Sequence, residues 1–235
     1  MYGYKPEEGI KSALKHGTLA IGQLGLAETL QILIGCDHTK KKGMDLAIRI
    51  ETLFRDKCAK YKKEYKLNFG VYYTPAENLC YTAMKKFKEK YGEIKNVSDH
   101  EYFTNSMHVP VWHTLTPFEK IDIESKLTGF SSAGAITYVE VDSSMKNNIE
   151  AMEELVNYAM DHDIPYFAIN IDNSICLDCG YQSLEDFSEC PKCHSTNTQC
   201  LKRVTGYLTG DYKSAFNKGK QREAEMRVKH CGIEA

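Results

Sequence analysis

Apolar residues recur at steps of three and four along residues 43–65. Met44, Ala47, Ile50, Leu53, Phe54 and Cys58 fall on one face, and lysines fill the other. That spacing predicts an amphipathic helix. Residues 7–34 show the same spacing, interrupted by Gly17, Gly22 and Gly25, and predict one broken helix or two short ones. Residues 67–73 (Leu-Asn-Phe-Gly-Val-Tyr-Tyr) look like a buried strand, with a helix expected from Pro75 to about Tyr91. Residues 107–112 read as a short strand, and residues 135–142 alternate well enough for another. Asn147–His162 reads as a helix and Tyr166–Ile171 as a strand. Helices alternating with short buried strands predict parallel βα units and an α/β fold.

After Ile171 the pattern changes. Residues 172–201 are rich in Cys, Ser, Asp, Asn and Thr and poor in aliphatics, so no apolar core can hold them. Cys176-Leu-Asp-Cys179 and Cys190-Pro-Lys-Cys193 supply another means. Two CxxC pairs at this separation can place four thiolates around one tetrahedral Zn²⁺, about 2.3 Å from each sulfur. Metal binding would then contribute the folding energy that the segment lacks. A mononuclear iron takes the same ligands. Four thiolates fill the coordination sphere, so the site reads as structural and His194 as a bystander. Cys200 and Cys231 read as free thiols, and Cys36, Cys58 and Cys80 as packed in helices.

Composition changes this picture little. The chain has 235 residues, enough for one large domain or one domain with a small appendage. It is 42% hydrophobic and 26% charged, ordinary for a globular protein. A net charge of −2 with interspersed signs recruits neither nucleic acid nor an anionic membrane. Lys40–Lys42 and the lysines from Lys57 to Lys66 read as solvated helix faces. No apolar run has membrane-spanning length, and the N-terminus has no apolar signal core. A cytoplasmic protein is expected, and nine cysteines there are better read as thiols or ligands than as disulfides.

Arg203-Val-Thr-Gly206-Tyr207-Leu208 follows the cysteine segment directly. It resembles the RVxGY signature of glycyl radical enzymes. Tyr72-Tyr73-Thr74-Pro75-Ala76-Glu77 resembles the Y-x-TPAE stretch of anaerobic ribonucleoside-triphosphate reductases. Residues 101–111, with Thr104-Asn105-Ser106 and His108-Val109-Pro110, resemble their YYTNSFHVPV stretch, departing at Phe103 and Met107. The end of the chain, from Phe216 through Gly219, Lys220 and Arg227 to His230, resembles their tail. The resemblance covers essentially the whole chain.

It implies the C-terminal half of a ten-stranded α/β barrel over residues 1–171. A four-cysteine zinc segment would follow over 172–201, then a radical loop and tail over 202–235. Gly206 would store a glycyl radical installed by an iron–sulfur, S-adenosylmethionine-dependent activating enzyme. Tyr72 and Glu77 would lie in the pocket for a ribonucleoside triphosphate, with Glu77 able to accept a ribose hydroxyl proton. Asn105, Ser106 and His108 would position substrate. The full enzyme would be a homodimer. Family members carry the thiyl cysteine upstream of the matched region, and no segment here resembles its loop. An N-terminal half or subunit is therefore an expected partner.

Bland readings stand beside these. Thr74-x-x-Glu77 has the form of a capping box with Pro75 at the first helical position. Tyr72 alone would be a strand core residue, and a buried hydrogen-bonded turn explains Asn105, Ser106 and His108 nearly as well. For the whole chain, the rivals are a non-catalytic radical spare part and a zinc-ribbon interaction module. A minimal spare part needs little beyond the loop, and a zinc module leaves residues 203–208 unexplained.

Overall fold

A computed structural model describes residues 5–15, 17–73, 76–204, 207–208 and 211–230. After a 3-10 turn at Pro6–Glu8 come α1 (Ile10–Lys15), β1 (Thr18–Gly22), α2 (Leu26–Ile34), α3 (Lys41–Tyr65) and β2 (Asn68–Tyr72). Strands β1 and β2 are parallel, in register from Thr18↔Asn68 to Gly22↔Tyr72, so α2 and α3 form the crossover. Next come α4 (Glu77–Tyr91) and α5 (Pro117–Thr128), then β3 (Thr137–Glu140), α6 (Ile149–Asp161) and β4 (Phe167–Asn170). Strands β3 and β4 are again parallel, from Thr137↔Phe167 to Glu140↔Asn170. The predicted parallel βα units are present. Among the described residues their strands form two separate two-stranded ladders.

Each ladder has its own core. Leu26, Leu30, Met44, Ala47, Val71, Tyr73, Met107 and Leu127 pack around the first. Ile121, Val139, Val141, Leu155 and Ala159 pack around the second. The two are joined by α5, which buries Leu127 in one and Ile121 in the other. Its start is fixed by a capping box: Thr116 accepts from Glu119 N, and Glu119 accepts from Thr116 N, with Pro117 in the first turn.

The cysteine segment forms a three-stranded antiparallel sheet of β5 (Asn173–Cys176), β6 (Gln182–Ser183) and β7 (Thr198–Leu201), with β5 in the middle. A two-stranded hairpin follows, β8 (Arg203–Val204) with β9 (Tyr207–Leu208). The tail is α7 (Tyr212–Ala215) and α8 (Lys218–Met226). It packs Tyr212 and Ala224 against Cys200 of β7, and α8 lies on α4.

Three expectations need correction. Residues 7–34 are not purely helical: Thr18–Gly22 is a strand, because its partner Asn68–Tyr72 arrives 50 residues later and overrides the local helical spacing. Residues 107–112 form no strand. Their polar groups are met elsewhere: Glu124 accepts from Val109 N, and Val111 O accepts from Val228 N of the tail. Leu53, assigned to the buried face of α3, is 57% exposed. Helix α5 is an addition to the expected elements, and Thr116-Pro117-Phe118-Glu119 carries its start signal.

Candidate functional site

The four cysteines converge. Their sulfurs all lie within 4.8 Å of one another, with Cys176–Cys193 and Cys179–Cys190 at 3.6 Å. A metal–sulfur bond of about 2.3 Å in a tetrahedron requires sulfur–sulfur edges of about 3.8 Å. The donor set therefore fits one tetrahedral thiophilic ion.

The two CxxC turns share one backbone design. Gly180 N donates to Cys176 O and His194 N to Cys190 O, both at 2.9 Å. Cys176 N donates to Tyr181 O and Cys190 N to Ser195 O, both at 2.8 Å. Each turn is closed by a left-handed residue, Gly180 at φ 71° and His194 at φ 59°. His194 thus holds the place that glycine holds in the first turn, a conformation histidine tolerates better than most residues. Its exposed ring faces Glu189 at 3.0 Å and lies outside the thiol cluster. Asp178 ties the turns together, accepting from Ser195 Oγ and from Asn197 Nδ2. Those hydrogen bonds hold its carboxyl below the usual range. Cys200 is a free buried thiol as expected, whereas Cys36 lies just beyond α2, half-buried. Cys231 lies outside the described residues.

A second set of residues gathers at the C-terminal end of β1 and β2, the end where ligands bind in parallel α/β sheets. Tyr72 is the last residue of β2 and is half-buried. It also lines a cleft of about 550 Å³ that runs back along the ladder to Thr18 and Asn68, the first residues of β1 and β2, with Ser132 beside it. Its neighbour Tyr73 is fully committed to the core, donating to Glu51 and to Leu127 O at 2.9 Å. Asn105 bridges Leu24, two residues beyond the Gly22 that pairs with Tyr72, so both stand at one end of the ladder. Cys80, in the first turn of α4, donates its thiol to Asn105 Oδ1 at 3.1 Å.

The cap expected at Thr74 is not the start of α4. The helix begins at Glu77, with Ala76 at φ 36° as its cap residue and no side-chain capping bond. Thr74 and Pro75 lie outside the described residues, as does the side chain of Glu77. Helix α4 thus starts two positions after the expected Pro75.

Asn105, Ser106 and His108 lie in a buried turn. Gly25 N donates to Thr104 O at 2.8 Å, and His108 N to Asn105 O at 3.0 Å. Ser106 sits at φ 39°, strained for a non-glycine residue. Two buried carboxylates, Glu28 and Glu124, hold this turn. Glu28 Oε1 accepts from Thr104 N and Oγ1 at 2.8 and 2.7 Å. Burial pushes its carboxyl up, against the pull of those bonds. Glu124 accepts from Val109 N at 3.1 Å and Lys120 Nζ at 2.5 Å, and its other oxygen lies 3.3 Å from His108 Nδ1. Burial raises the Glu124 carboxyl, but the Lys120 ammonium and His108 outweigh it and the net shift is downward. Asn105 and His108 share a cavity of about 40 Å³ with Lys120, Tyr138, Glu140 and Arg227. Tyr72 lines the other cleft, so the structure sets these candidates on two surfaces.

Gly206 and Thr205 lie outside the described residues. They are the two residues between Val204 and Tyr207, which pair antiparallel, with Arg203 opposite Leu208.

Paired βα units followed at once by four converging thiols define the class as an α/β protein with a cysteine cluster able to hold a metal ion. The sequence profile of the anaerobic ribonucleoside-triphosphate reductases matches residues 1–230, and the chain belongs to that family. The anaerobic ribonucleoside-triphosphate reductase of Enterobacteria phage T4 is 35% identical over 235 residues, covering 96% of this chain and 37% of the phage protein. That of Escherichia coli is 30% identical over 241 residues, covering 96% and 33%. The chain therefore spans about a third of these relatives. A solved anaerobic ribonucleotide reductase superposes with TM-score 0.74 at 24% identity, over 91% of this chain and 34% of the other. The Thermotoga maritima enzyme in complex with dATP and CTP gives 0.67 at 25%, over 87% and 33%. No helix among the described residues is long and apolar enough to cross a membrane.

Proposed function

We propose that this chain is the radical-bearing C-terminal part of an anaerobic ribonucleotide reductase, which reduces ribonucleoside triphosphates to deoxyribonucleoside triphosphates. The observation that carries the reading is the direct succession of a tetrahedral four-thiol site and a hairpin built on Arg203-Val-Thr-Gly206-Tyr207-Leu208, in a chain of this family. Residues 1–171 supply the C-terminal half of a ten-stranded barrel, completed by an N-terminal half in the homodimeric enzyme. A Zn²⁺ on Cys176, Cys179, Cys190 and Cys193 braces residues 172–201 from which the hairpin emerges. Residues 202–235 carry the radical loop and tail.

Each residue then has a defined task. Gly206 loses a Cα hydrogen to the S-adenosylmethionine-dependent activating enzyme, and the absence of a Cβ leaves its Cα open to a close approach. The thiyl cysteine comes from the N-terminal half. Tyr72 lines the cleft along β1 and β2, and Glu77, at the start of α4, accepts a ribose hydroxyl proton. Asn105, Ser106 and His108 form a preorganised polar turn for substrate. The Thermotoga maritima enzyme, solved with dATP and CTP, supports a nucleotide as the ligand class.

Gly206 provides the test. Anaerobic treatment with the activating enzyme, S-adenosylmethionine and a reductant, with the N-terminal half present, is expected to give an organic radical with resolved α-hydrogen coupling. Air should then cut the chain at Gly206 and release Tyr207–Ala235. Gly206→Ala should abolish signal and cleavage. A radical that survives this substitution, or cleavage elsewhere, would falsify the assignment.

A further inference from the structure

The tail motif from Lys220 to His230 has no task in the reading above, yet it carries a cluster of buried, paired charges. Lys220 is 0% exposed and pairs with Glu223, itself 3% exposed. Arg227, at the end of α8, is inserted between three elements. Its Nη2 donates to Glu223 Oε1 at 3.3 Å. Its Nη1 donates to Glu140 Oε1 of β3 at 3.1 Å and also to the backbone carbonyl of Arg203. Asn170 of β4 donates to the same Glu140 oxygen at 2.8 Å, which fixes the carboxylate from its other side.

The backbone beyond Arg227 continues the attachment. Val228 N donates to Val111 O at 3.0 Å, and Glu140 N donates to His230 Nδ1 at 2.9 Å. Tyr138 lies between the two candidate regions, with the Arg203 guanidinium 5.7 Å from its ring and the His108 ring 5.6 Å away on centroids. A solvated surface would satisfy these charges without any such arrangement. Taking Lys220, Glu223, Arg227 and Glu140 into one site is costly unless each is paired, so the cluster fixes geometry at the expense of simpler apolar packing.

We propose that Arg227 is a positioning residue for the radical hairpin: by gripping the Arg203 carbonyl and the Glu140 carboxylate together, it sets the base of β8–β9 against β3 and the turn carrying Asn105 and His108. The Arg203 carbonyl is the decisive contact. It belongs to the first residue of β8, three positions before Gly206, so a shift there is passed to the two residues joining the strands. A guanidinium suits the task because its planar fork holds Glu223 through Nη2 and so fixes the direction of Nη1, which serves both the Glu140 carboxylate and the Arg203 carbonyl. A lysine in its place keeps the charge beside Glu140 and Glu223 but is a single point donor. The proposal rests on the assignment of Gly206 for its consequence, and on geometry alone for the clamp.

The test uses Arg227→Lys and Arg227→Met in the protein paired with its N-terminal half. Hydrogen exchange of the unactivated protein reads the clamp without any radical. Amides of residues 203–208 should exchange at least tenfold faster in both variants, while those of the cysteine turns at 176–194 are unchanged. After activation, the radical yield should fall at least tenfold in both. Arg227→Lys is the discriminating variant: its unfolding midpoint should return to near the parent value with the yield still low, which a purely structural role would not produce. Parental radical yield in Arg227→Lys, or parental exchange at 203–208 in both variants, overturns the proposal. If the parent protein itself forms no radical while the exchange result holds, the Gly206 assignment fails and the clamp stands.

Discussion

Gly43 tests whether a local preference or a tertiary contact governs the start of α3. It lies in the first turn of that helix and is buried. A Cβ added there would stand 1.8 Å from Asp37 O, 2.5 Å from the Asp37 carbonyl carbon and 3.0 Å from His38 N. Nonbonded carbon and oxygen seldom come closer than about 3.3 Å, so the helix and this backbone must part by about 1.5 Å. Alanine in place of glycine gains at most about 1 kcal/mol of helix propensity. Overpacking of this kind costs about 1–3 kcal/mol. The displaced backbone also carries the Asp37–His113 contact at 2.8 Å, a charged hydrogen bond of a type that contributes about 1.5–3 kcal/mol. The clash wins, and Gly43→Ala should lose about 1.5–5 kcal/mol after the propensity gain is subtracted. Equilibrium urea unfolding reads this, with Gly129→Ala as control. Gly129 is at φ −66° with nothing within 4 Å of its added Cβ. The control should be neutral or gain about 0.5 kcal/mol. A Gly43→Ala protein as stable as its parent would show that the Asp37–His38 loop moves freely, and the packing argument would be wrong.

Other outcomes are equally specific. Burial pushes the His38 and His230 rings down to about 4 from the usual 6.5. The unfolded chain therefore takes up protons below about pH 6.5 while the folded chain does not until about pH 4. Stability should fall through that window, by up to about 1.4 kcal/mol per pH unit for each histidine; urea midpoints that do not change between pH 7 and 5 would contradict this. Thr116→Ala removes the α5 cap and should cost about 1 kcal/mol, measurable by thermal or urea unfolding. Elemental analysis of protein purified without oxygen should find one zinc per chain, and chelation should release the amides of residues 173–201 to fast hydrogen exchange. Stoichiometric iron, or a protected segment without metal, would sink the zinc assignment.

The sequence alone determined features whose cause is local. Cysteine spacing specified the four-thiol site, because each CxxC turn is closed by hydrogen bonds within six residues of itself. The amphipathic period of residues 43–65 specified α3 to within two residues of its start. The parallel units followed from strands and helices in alternation. Tertiary structure decided what depends on distant partners. Thr18–Gly22 is a strand only because Asn68–Tyr72 pairs with it. Residues 107–112 stay out of a ladder because Glu124 and the tail take their backbone groups. The T-P-x-E tetrapeptides at 74 and 116 are the plainest case. The second makes the box at the start of α5, while α4 begins at Glu77, with Ala76 as its cap residue. Arg227 read as one basic residue in a tail, with no local signal marking it. Its role arises from Glu140 and Arg203, 87 and 24 residues away, which only folding brings within reach of one guanidinium.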